Sequence, residues 1–208
     1  MSKNTRNVWD VFAPVYQLAM RSNRSLYAAI CQRIIPKVKD KTVLELGAGP
    51  GIIALEVASA TRGMIATDSS RQMIAEAKKK KNPDNLRFQV VDARTLPYTD
   101  GQFDVVIIAN TLHIMPDAHL ALAEIARILK QDGLLIAPNF VRENLRFLAK
   151  LRYRLCQLLG IGFQHVWTAQ EYGNFLQEHG FCVQTQELLP SAVPVLYVEA
   201  NVKHPNTT

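Results

Sequence analysis

The chain has 208 residues, of which 48% are hydrophobic and 20% are charged, so it can bury a sizeable core and fits one domain better than two. No apolar run approaches the roughly 18 residues that a membrane-spanning helix needs. The polar start Met1–Asn7 is not followed by an apolar signal-peptide stretch, which predicts a cytoplasmic protein.

The formal net charge of +6 is a reason to consider nucleic acid as a partner, because basic proteins gain affinity by releasing counterions from phosphates. The densest basic run, Lys78–Lys81, closes a predicted helix, where cations complement the negative end of the helix dipole. A solvated helix end is therefore the favoured interpretation, and a nucleic-acid partner is not expected.

The first predicted element is a helix over Pro14–Ile35, within a helical cap of residues 1–40 that could fold over the mouth of a ligand cleft. Residues 41–140 then alternate between apolar strands and helices. The predicted strands are 42–46, 64–67, 86–90, 104–109 and 134–138, and the predicted helices are 51–60, 71–81 and 118–130. This alternation predicts a parallel sheet with right-handed crossovers and helices on both faces. A ligand cleft is then expected at the carboxyl ends of the strands.

A glycine-rich turn follows the first strand of this core. Gly47, Gly49 and Gly51 come directly after a short apolar run and before a helical pattern. Because glycine has no Cβ, a ligand can lie against the main chain at such a turn. A dinucleotide fingerprint needs a third glycine at the sixth position, where this chain has Ile52. The spacing therefore disfavours a dinucleotide site and favours another small cofactor.

Acidic and amide side chains follow the next strands at corresponding places. Asp68 ends the second strand about twenty residues beyond the first glycine, where a carboxylate can accept hydrogen bonds from a ribose diol. Asp92 and Ala93 close the third strand. The fourth strand, within Phe103–Asn110, is the most apolar of the chain, which is typical of a parallel strand buried on both faces.

The rest of the chain departs from this alternation. Residues 141–167 form a predicted helical insertion, with leucines on one face of a helix over 142–159 and basic side chains on another. A lid helix packed on the domain is the favoured interpretation, and contact with a membrane surface or an acidic substrate is the alternative. Residues 168–203 are expected to form a helix and a β-hairpin with strands Phe181–Leu188 and Val193–Val202.

Several of these segments resemble the motifs of one enzyme family. Glu45–Gly51 matches the pattern acidic-x-Gly-x-Gly-x-Gly, and Asp68 and Asp92 follow it in the expected order. The segments Phe12–Tyr16 and Leu112–Asp117 look like two further segments of the same family. The chain thus resembles the class I S-adenosylmethionine-dependent methyltransferases, in particular the small-molecule branch similar to the ubiquinone/menaquinone biosynthesis methyltransferases.

The resemblance implies a Rossmann-like, doubly wound α/β fold with a seven-stranded, mostly parallel sheet and an antiparallel last strand. It implies S-adenosyl-L-methionine as cofactor, with Asp92 at the exocyclic amine of adenine and Glu45 at the amino end of the cofactor. Asn110 is expected at the methionine portion, and Tyr16 is expected to close over it. The implied cofactor-binding residues are Tyr16, Glu45, Gly47, Ala48, Gly49, Gly51, Asp68, Ser69, Met73, Asp92, Ala93 and Asn110.

Methyl transfer from a sulfonium is an in-line displacement, so the protein mainly has to align the acceptor, the methyl group and the sulfur. An acceptor that must lose a proton also needs a base. His113 is the candidate, since it follows the fourth strand by a few residues; the alternative is a hydrogen-bonded histidine in the wall of the cleft. His165 is a weaker candidate base.

The absence of several motifs limits the chemical class of the methyl acceptor. The fourth strand is followed by Asn110-Thr111-Leu112-His113 and not by the Pro-Pro motif that holds planar amine acceptors in nucleobase and glutamine methyltransferases. No clustered carboxylates indicate a metal, and the three cysteines are too far apart for a metal site or an evident disulfide. A small, partly apolar acceptor such as a quinone precursor, a lipid or a thiol is expected.

Three other functions stay open at this point: an RNA-directed methyltransferase, a non-catalytic module that binds the cofactor, and, more distantly, a dehydrogenase. The sequence leaves open the acceptor molecule and the oligomeric state.

Overall fold

The computed structural model describes residues 23–143, 164–191 and 193–203, which form an α/β fold around an eight-stranded sheet. Its strands are β1 Thr42–Leu46, β2 Gly63–Asp68, β3 Leu86–Val90, β4 Phe103–Ile108, β5 Leu129–Ile136, β6 Asn139–Phe140, β7 Phe181–Leu189 and β8 Val195–Val202. Its helices are α1 Arg24–Val38, α2 Ile52–Val57, α3 Arg71–Lys78, α4 Ala118–Ile128 and α5 Ala169–Glu178, with 3₁₀ turns at Ala58–Ala60 and Leu112–Ile114. The strand order is β3-β2-β1-β4-β5-β8-β6, and β7 also pairs with β8.

The first five strands are parallel, and the last strand runs against its neighbours, as predicted. β1 lies at the centre, with Val43 paired to Met64 of β2 and to Val105 of β4. β8 is antiparallel to β5, β6 and β7. Pro194 immediately precedes β8, where its missing N–H removes no ladder hydrogen bond, and its carbonyl accepts from Val141 N at 2.9 Å.

Alternation of side chains along β1 divides the core into two layers. Val43 packs with the apolar sides of α1, α2 and α3 on one face of the sheet. Leu44 and Leu46 pack with α4 and α5 on the other face. Successive side chains of a strand point to opposite faces, so a continuous apolar run is needed when both faces are covered. The helices therefore cover the faces and leave the carboxyl ends of the strands for a ligand.

Two elements begin or end elsewhere than predicted. α4 ends at Ile128, and β5 begins at once with Leu129 instead of at Leu134. Leu129 pairs with Phe103 of β4, and a register shift after Phe103 accommodates the extra residues before the regular pairing resumes. Residues 139–140 also pair with β8, so the sheet has eight strands where seven were expected.

The described part of the N-terminal cap is a layer of the core. α1 buries Ile30, Ile34 and Val38 completely in the same cluster as Val57 of α2. The segment Phe12–Tyr16 and most of the predicted 142–159 helix lie outside the described residues. Within the described ranges, no helix is long and apolar enough to cross a membrane.

Candidate functional site

A cavity of about 300 Å³ opens at the carboxyl ends of β1, β2 and β4, at the predicted edge of the sheet. This volume is in the range of small-molecule sites. Its lining residues come from the loops that follow the first four strands: Gly47, Gly49, Asp68, Ser69, Met73, Val91, Asp92, Ala93, Arg94, Ala109, Asn110, Thr111, Ile114, Met115 and Pro116.

The glycine turn forms one wall of the cavity, and its conformation requires glycine. Gly47, Gly49 and Gly51 have φ angles of +66°, +54° and +76°, in the left-handed region that costs other residues free energy. A Cβ on Gly47 would lie 2.6 Å from Thr111 Cγ2, and one on Gly51 would lie 2.8 Å from the Phe88 ring. Gly51 is the N-cap of α2 and does not line the cavity, so its tight contact is with the core.

Asp68 links the glycine turn to the end of β2. Its Oδ2 accepts a hydrogen bond from Gly49 N at 2.8 Å, and its Oδ1 accepts one from Ser70 N at 2.8 Å. Ser70 in turn is the N-cap of α3 and accepts from Met73 N. The carboxylate that the sequence assigns to a ribose diol therefore also fixes the main chain of two cavity walls.

Asn110 carries a buried acceptor atom with no hydrogen-bond partner among the described residues. Its φ of +50° lies in the left-handed region, which asparagine tolerates better than most residues. Its N donates to Pro138 O at 2.7 Å, and its Nδ2 lies 3.4 Å from Tyr27 Oη. The remaining atom, Oδ1, is the unpaired one. A buried acceptor without a donor is unfavourable, so this atom favours a ligand that brings an N–H or O–H group.

Glu45 lies on the side of β1 that faces α1 and α2. It is 2% exposed, and burial raises the pKa of its carboxyl to about 8, although an Ala54 N–H bond opposes the rise. Burial and the nearby Glu45 also raise the pKa of the Cys31 thiol to about 12, which keeps this cysteine protonated. Glu45 does not line the cavity.

Asp92 and Arg94 form an ion pair on the cavity wall after β3. Arg94 Nε and Nη2 contact Asp92 at 3.0 and 2.7 Å, and Arg94 Nη1 reaches Asp117 Oδ2 at 3.1 Å. The hydrogen bonds from Arg94 lower the pKa of the Asp92 carboxyl. Asp117 is the N-cap of α4, so Arg94 connects the loop after β3 with the start of that helix.

His113 is buried behind the cavity wall and does not line it. Its Nδ1 lies 2.9 Å from Asn139 Oδ1, and its ring packs edge-on against Phe140. Burial lowers the pKa of His113 to about 4, with a smaller contribution from His165, so the ring is neutral at pH 7. Asn139 Nδ2 donates to Phe140 O, which makes Oδ1 the acceptor and places a hydrogen on His113 Nδ1.

The structure brings together eight of the sequence-predicted cofactor residues on one cavity: Gly47, Gly49, Asp68, Ser69, Met73, Asp92, Ala93 and Asn110. Glu45, Ala48, Gly51 and His113 lie beside this cavity without lining it, and Tyr16 lies outside the described residues.

The residues that the sequence analysis did not assign to the site include three that contact its predicted residues. Thr111 packs on Gly47, Arg94 pairs with Asp92, and Tyr27 reaches Asn110. A loop arginine and a helical tyrosine give no local sequence signal for a binding site. The position of Thr111 directly after Asn110 was a usable hint.

Comparison with known proteins agrees with this geometry. Residues 44–137, which contain most of β1, all of β2 to β5 and every residue that lines the cavity, match a family model described as a methyltransferase domain. This part of the chain is thus similar to methyltransferase domains.

The chain is also similar in sequence to known methyltransferases. The chain is 34% identical over 106 residues to the uncharacterized methyltransferase YcgJ of Bacillus subtilis (strain 168), a match that covers 49% of this chain and 42% of the relative. It is 34% identical over 125 residues to the ubiquinone/menaquinone biosynthesis C-methyltransferase UbiE of Rickettsia bellii (strain OSU 85-389), covering 54% of this chain and 50% of the relative. The matched part thus spans about half the length of these relatives.

The fold is also similar to that of solved structures. A chain in the solved complex between the Haloferax volcanii Trm112 methyltransferase activator and a methyltransferase has a TM-score of 0.81 to it, at 21% identity. The superposition covers 97% of this chain and 100% of that one.

Proposed function

We propose that this protein is an S-adenosylmethionine-dependent methyltransferase that moves a methyl group to a small, partly apolar acceptor by in-line displacement. The observation that carries the proposal is the unpaired Oδ1 of Asn110 beside the glycine turn. An ammonium group is a donor-only partner that would satisfy this atom, and S-adenosylmethionine carries one on its methionine end. When bound, the cofactor would supply a methyl group on a sulfonium, from which a neutral thioether is a good leaving group.

The residues present fit the other parts of the cofactor. The bare main chain at Gly47 and Gly49 leaves room that a side chain would fill. We assign the ribose to Asp68 and the adenine amine to Asp92, and the position of both residues in the cavity lining supports this assignment. Such fixed donors and acceptors lower the barrier by holding the reactants in line.

The acceptor side supports an apolar molecule. Ile114, the last residue of the 3₁₀ turn, and Met115, which follows it, line the cavity next to Pro116. An apolar wall favours a ring or an alkyl chain, because burial of apolar surface provides the affinity. The names of the UbiE relatives add support for a quinone precursor as acceptor, with methyl transfer to carbon.

We propose His113 as the base for acceptors that must lose a proton. With a hydrogen on Nδ1, the lone pair of the neutral ring is on Nε2, and the lowered pKa keeps that nitrogen unprotonated at pH 7. The ring does not line the cavity, so proton transfer would require the 112–114 turn to shift. If His113 is only a structural residue of the cavity wall, it holds Asn139 and does not influence the pH dependence of kcat.

The test of the function is release of S-adenosylhomocysteine by the purified chain with quinol, thiol, amine, lipid and RNA acceptors. Salt-insensitive turnover of a small apolar acceptor is expected. Turnover of RNA alone would favour the RNA-directed alternative, and cofactor binding without any turnover would favour a binding module. His113→Ala should slow turnover with little change in cofactor affinity; an unchanged rate would exclude the base role.

The cofactor assignment has a separate binding test. Asn110→Gly removes the unpaired Oδ1, and glycine suits the positive φ, so we expect roughly tenfold weaker cofactor binding without loss of fold stability. Asn82→Ala is the matched control, because Asn82 also has a buried Oδ1 with no partner among the described residues but does not line the cavity. Equal affinities of the two variants in calorimetry would refute the role of Asn110.

A further inference from the structure

We propose that Arg94 is a positioning and specificity-determining residue of the cofactor site: it holds the Asp92 carboxylate so that one acceptor position remains, aimed at an exocyclic amine. The inference rests on the proposed function, because it concerns how that same site distinguishes its ligand.

The two oxygens of Asp92 are unequally occupied. Oδ1 accepts from Arg94 N at 2.9 Å and from Arg94 Nε at 3.0 Å, which uses both of its lone pairs. Oδ2 accepts from Arg94 Nη2 at 2.7 Å, while Nε approaches it only at 3.3 Å as the weaker branch of the same donor. Among the described residues, one lone pair of the carboxylate is therefore left for a ligand, on Oδ2.

A carboxylate in this state is selective for a donor. The guanidinium holds it ionised and acceptor-only, and the two parallel N–H bonds fix its plane. An amino group on a purine can donate to the remaining lone pair, whereas a carbonyl oxygen at the same ring position would meet it with another lone pair. The site thereby favours adenosyl over inosyl ligands, since an unpaired polar contact costs more than a good one gains.

Stabilisation of the fold does not account for this ion pair. The side chains of Arg94, Asp92 and Asp117 are 40%, 43% and 47% exposed. Ion pairs at such exposure contribute on the order of 0–1 kcal/mol to stability. The arrangement nonetheless lies on the cavity wall, since both Asp92 and Arg94 line it.

Calorimetry with two ligands separates this role from a structural one. The full chain is titrated with S-adenosylhomocysteine and with S-inosylhomocysteine, in which a carbonyl replaces the amine. We expect the wild-type protein to prefer the adenosyl ligand by at least roughly tenfold, the size of a hydrogen bond to a charged group. Arg94→Ala should reduce that preference to about threefold or less, because Asp92 becomes free to rotate and accept water.

Two further variants define the outcome. Asp117→Asn is the matched control, since it weakens the second contact of Arg94 and leaves the pair with Asp92; it should keep the wild-type preference. Arg94→Lys should give an intermediate preference, because an ammonium offers a point charge without the fork. The proposal is overturned if Arg94→Ala keeps the wild-type ratio while its melting curve shows a folded protein, or if the wild type binds both ligands equally. No binding of either ligand to the wild type would instead refute the cofactor assignment itself.

Discussion

Replacing Gly47 with alanine should destabilise the fold far more than the same change at another left-handed glycine. Gly47 has a φ of +66°, where a Cβ costs about 1–2 kcal/mol. Its Cβ would also lie 2.6 Å from Thr111 Cγ2 and 2.9 Å from Thr111 Cβ. Overpacking of this kind costs about 1–3 kcal/mol, so we expect a total loss of about 2–5 kcal/mol in the free energy of unfolding.

Thr111 has limited freedom to yield to the new methyl group. Its hydroxyl donates to Ala109 O at 2.9 Å, so rotation of the side chain would sacrifice that hydrogen bond. The glycine turn and Thr111 also line the same cavity. A displaced Thr111 is therefore expected to lower affinity for S-adenosylhomocysteine as well as stability.

Gly101→Ala is the matched control for the clash. Gly101 has a φ of +62°, but nothing lies within 4 Å of the position of its added Cβ. The free energy of unfolding of Gly101→Ala should fall only by the backbone cost of about 1–2 kcal/mol. Urea unfolding of both variants isolates the packing cost as their difference. Adding Thr111→Ala to Gly47→Ala should restore part of the loss, since it removes Oγ1 and Cγ2. Equal losses for the two glycines, or no restoration in the double variant, would refute the reasoning.

Two predictions concern pH. His113 has a pKa of about 4 in the fold against about 6.5 unfolded, so its contribution to stability is present above pH 6.5 and lost as the pH falls through 4, by up to roughly 3 kcal/mol. Urea unfolding from pH 7 to pH 4 should show a steeper loss for the wild type than for His113→Asn, and parallel curves would contradict this. Glu45 has the opposite sign: its pKa of about 8 means that its contribution is present below pH 4.5 and lost as the pH rises through 8. Glu45→Gln should therefore melt higher than the wild type at pH 8 by more than it does at pH 5; a constant gap would show that Glu45 ionises normally in the fold.

Two of the strands were predicted to the residue. The structure has β1 at Thr42–Leu46 and β3 at Leu86–Val90, with the predicted bounds. A short apolar run bounded by turn residues fixes such a strand locally. The end of α4 and the start of β5 were wrong by two and five residues, because the pairing of Leu129 with Phe103 extends the sheet beyond the local apolar pattern. At this point the long-range strand pairing overrides the local helix propensity.

The sequence by itself determined the sheet, the glycine turn and the loop ends at Asp68, Asp92 and Asn110, because those depend on local periodicity and on residues that tolerate unusual backbone angles. Only the tertiary structure placed Tyr27 on Asn110 across 83 residues of chain, left an oxygen of Asn110 without a partner among the described residues, and kept His113 out of the cavity lining. The register of β1 against β4 and the packing of α1 decide those contacts. No local pattern encodes these contacts, since each depends on the position of a strand or helix that is distant in sequence.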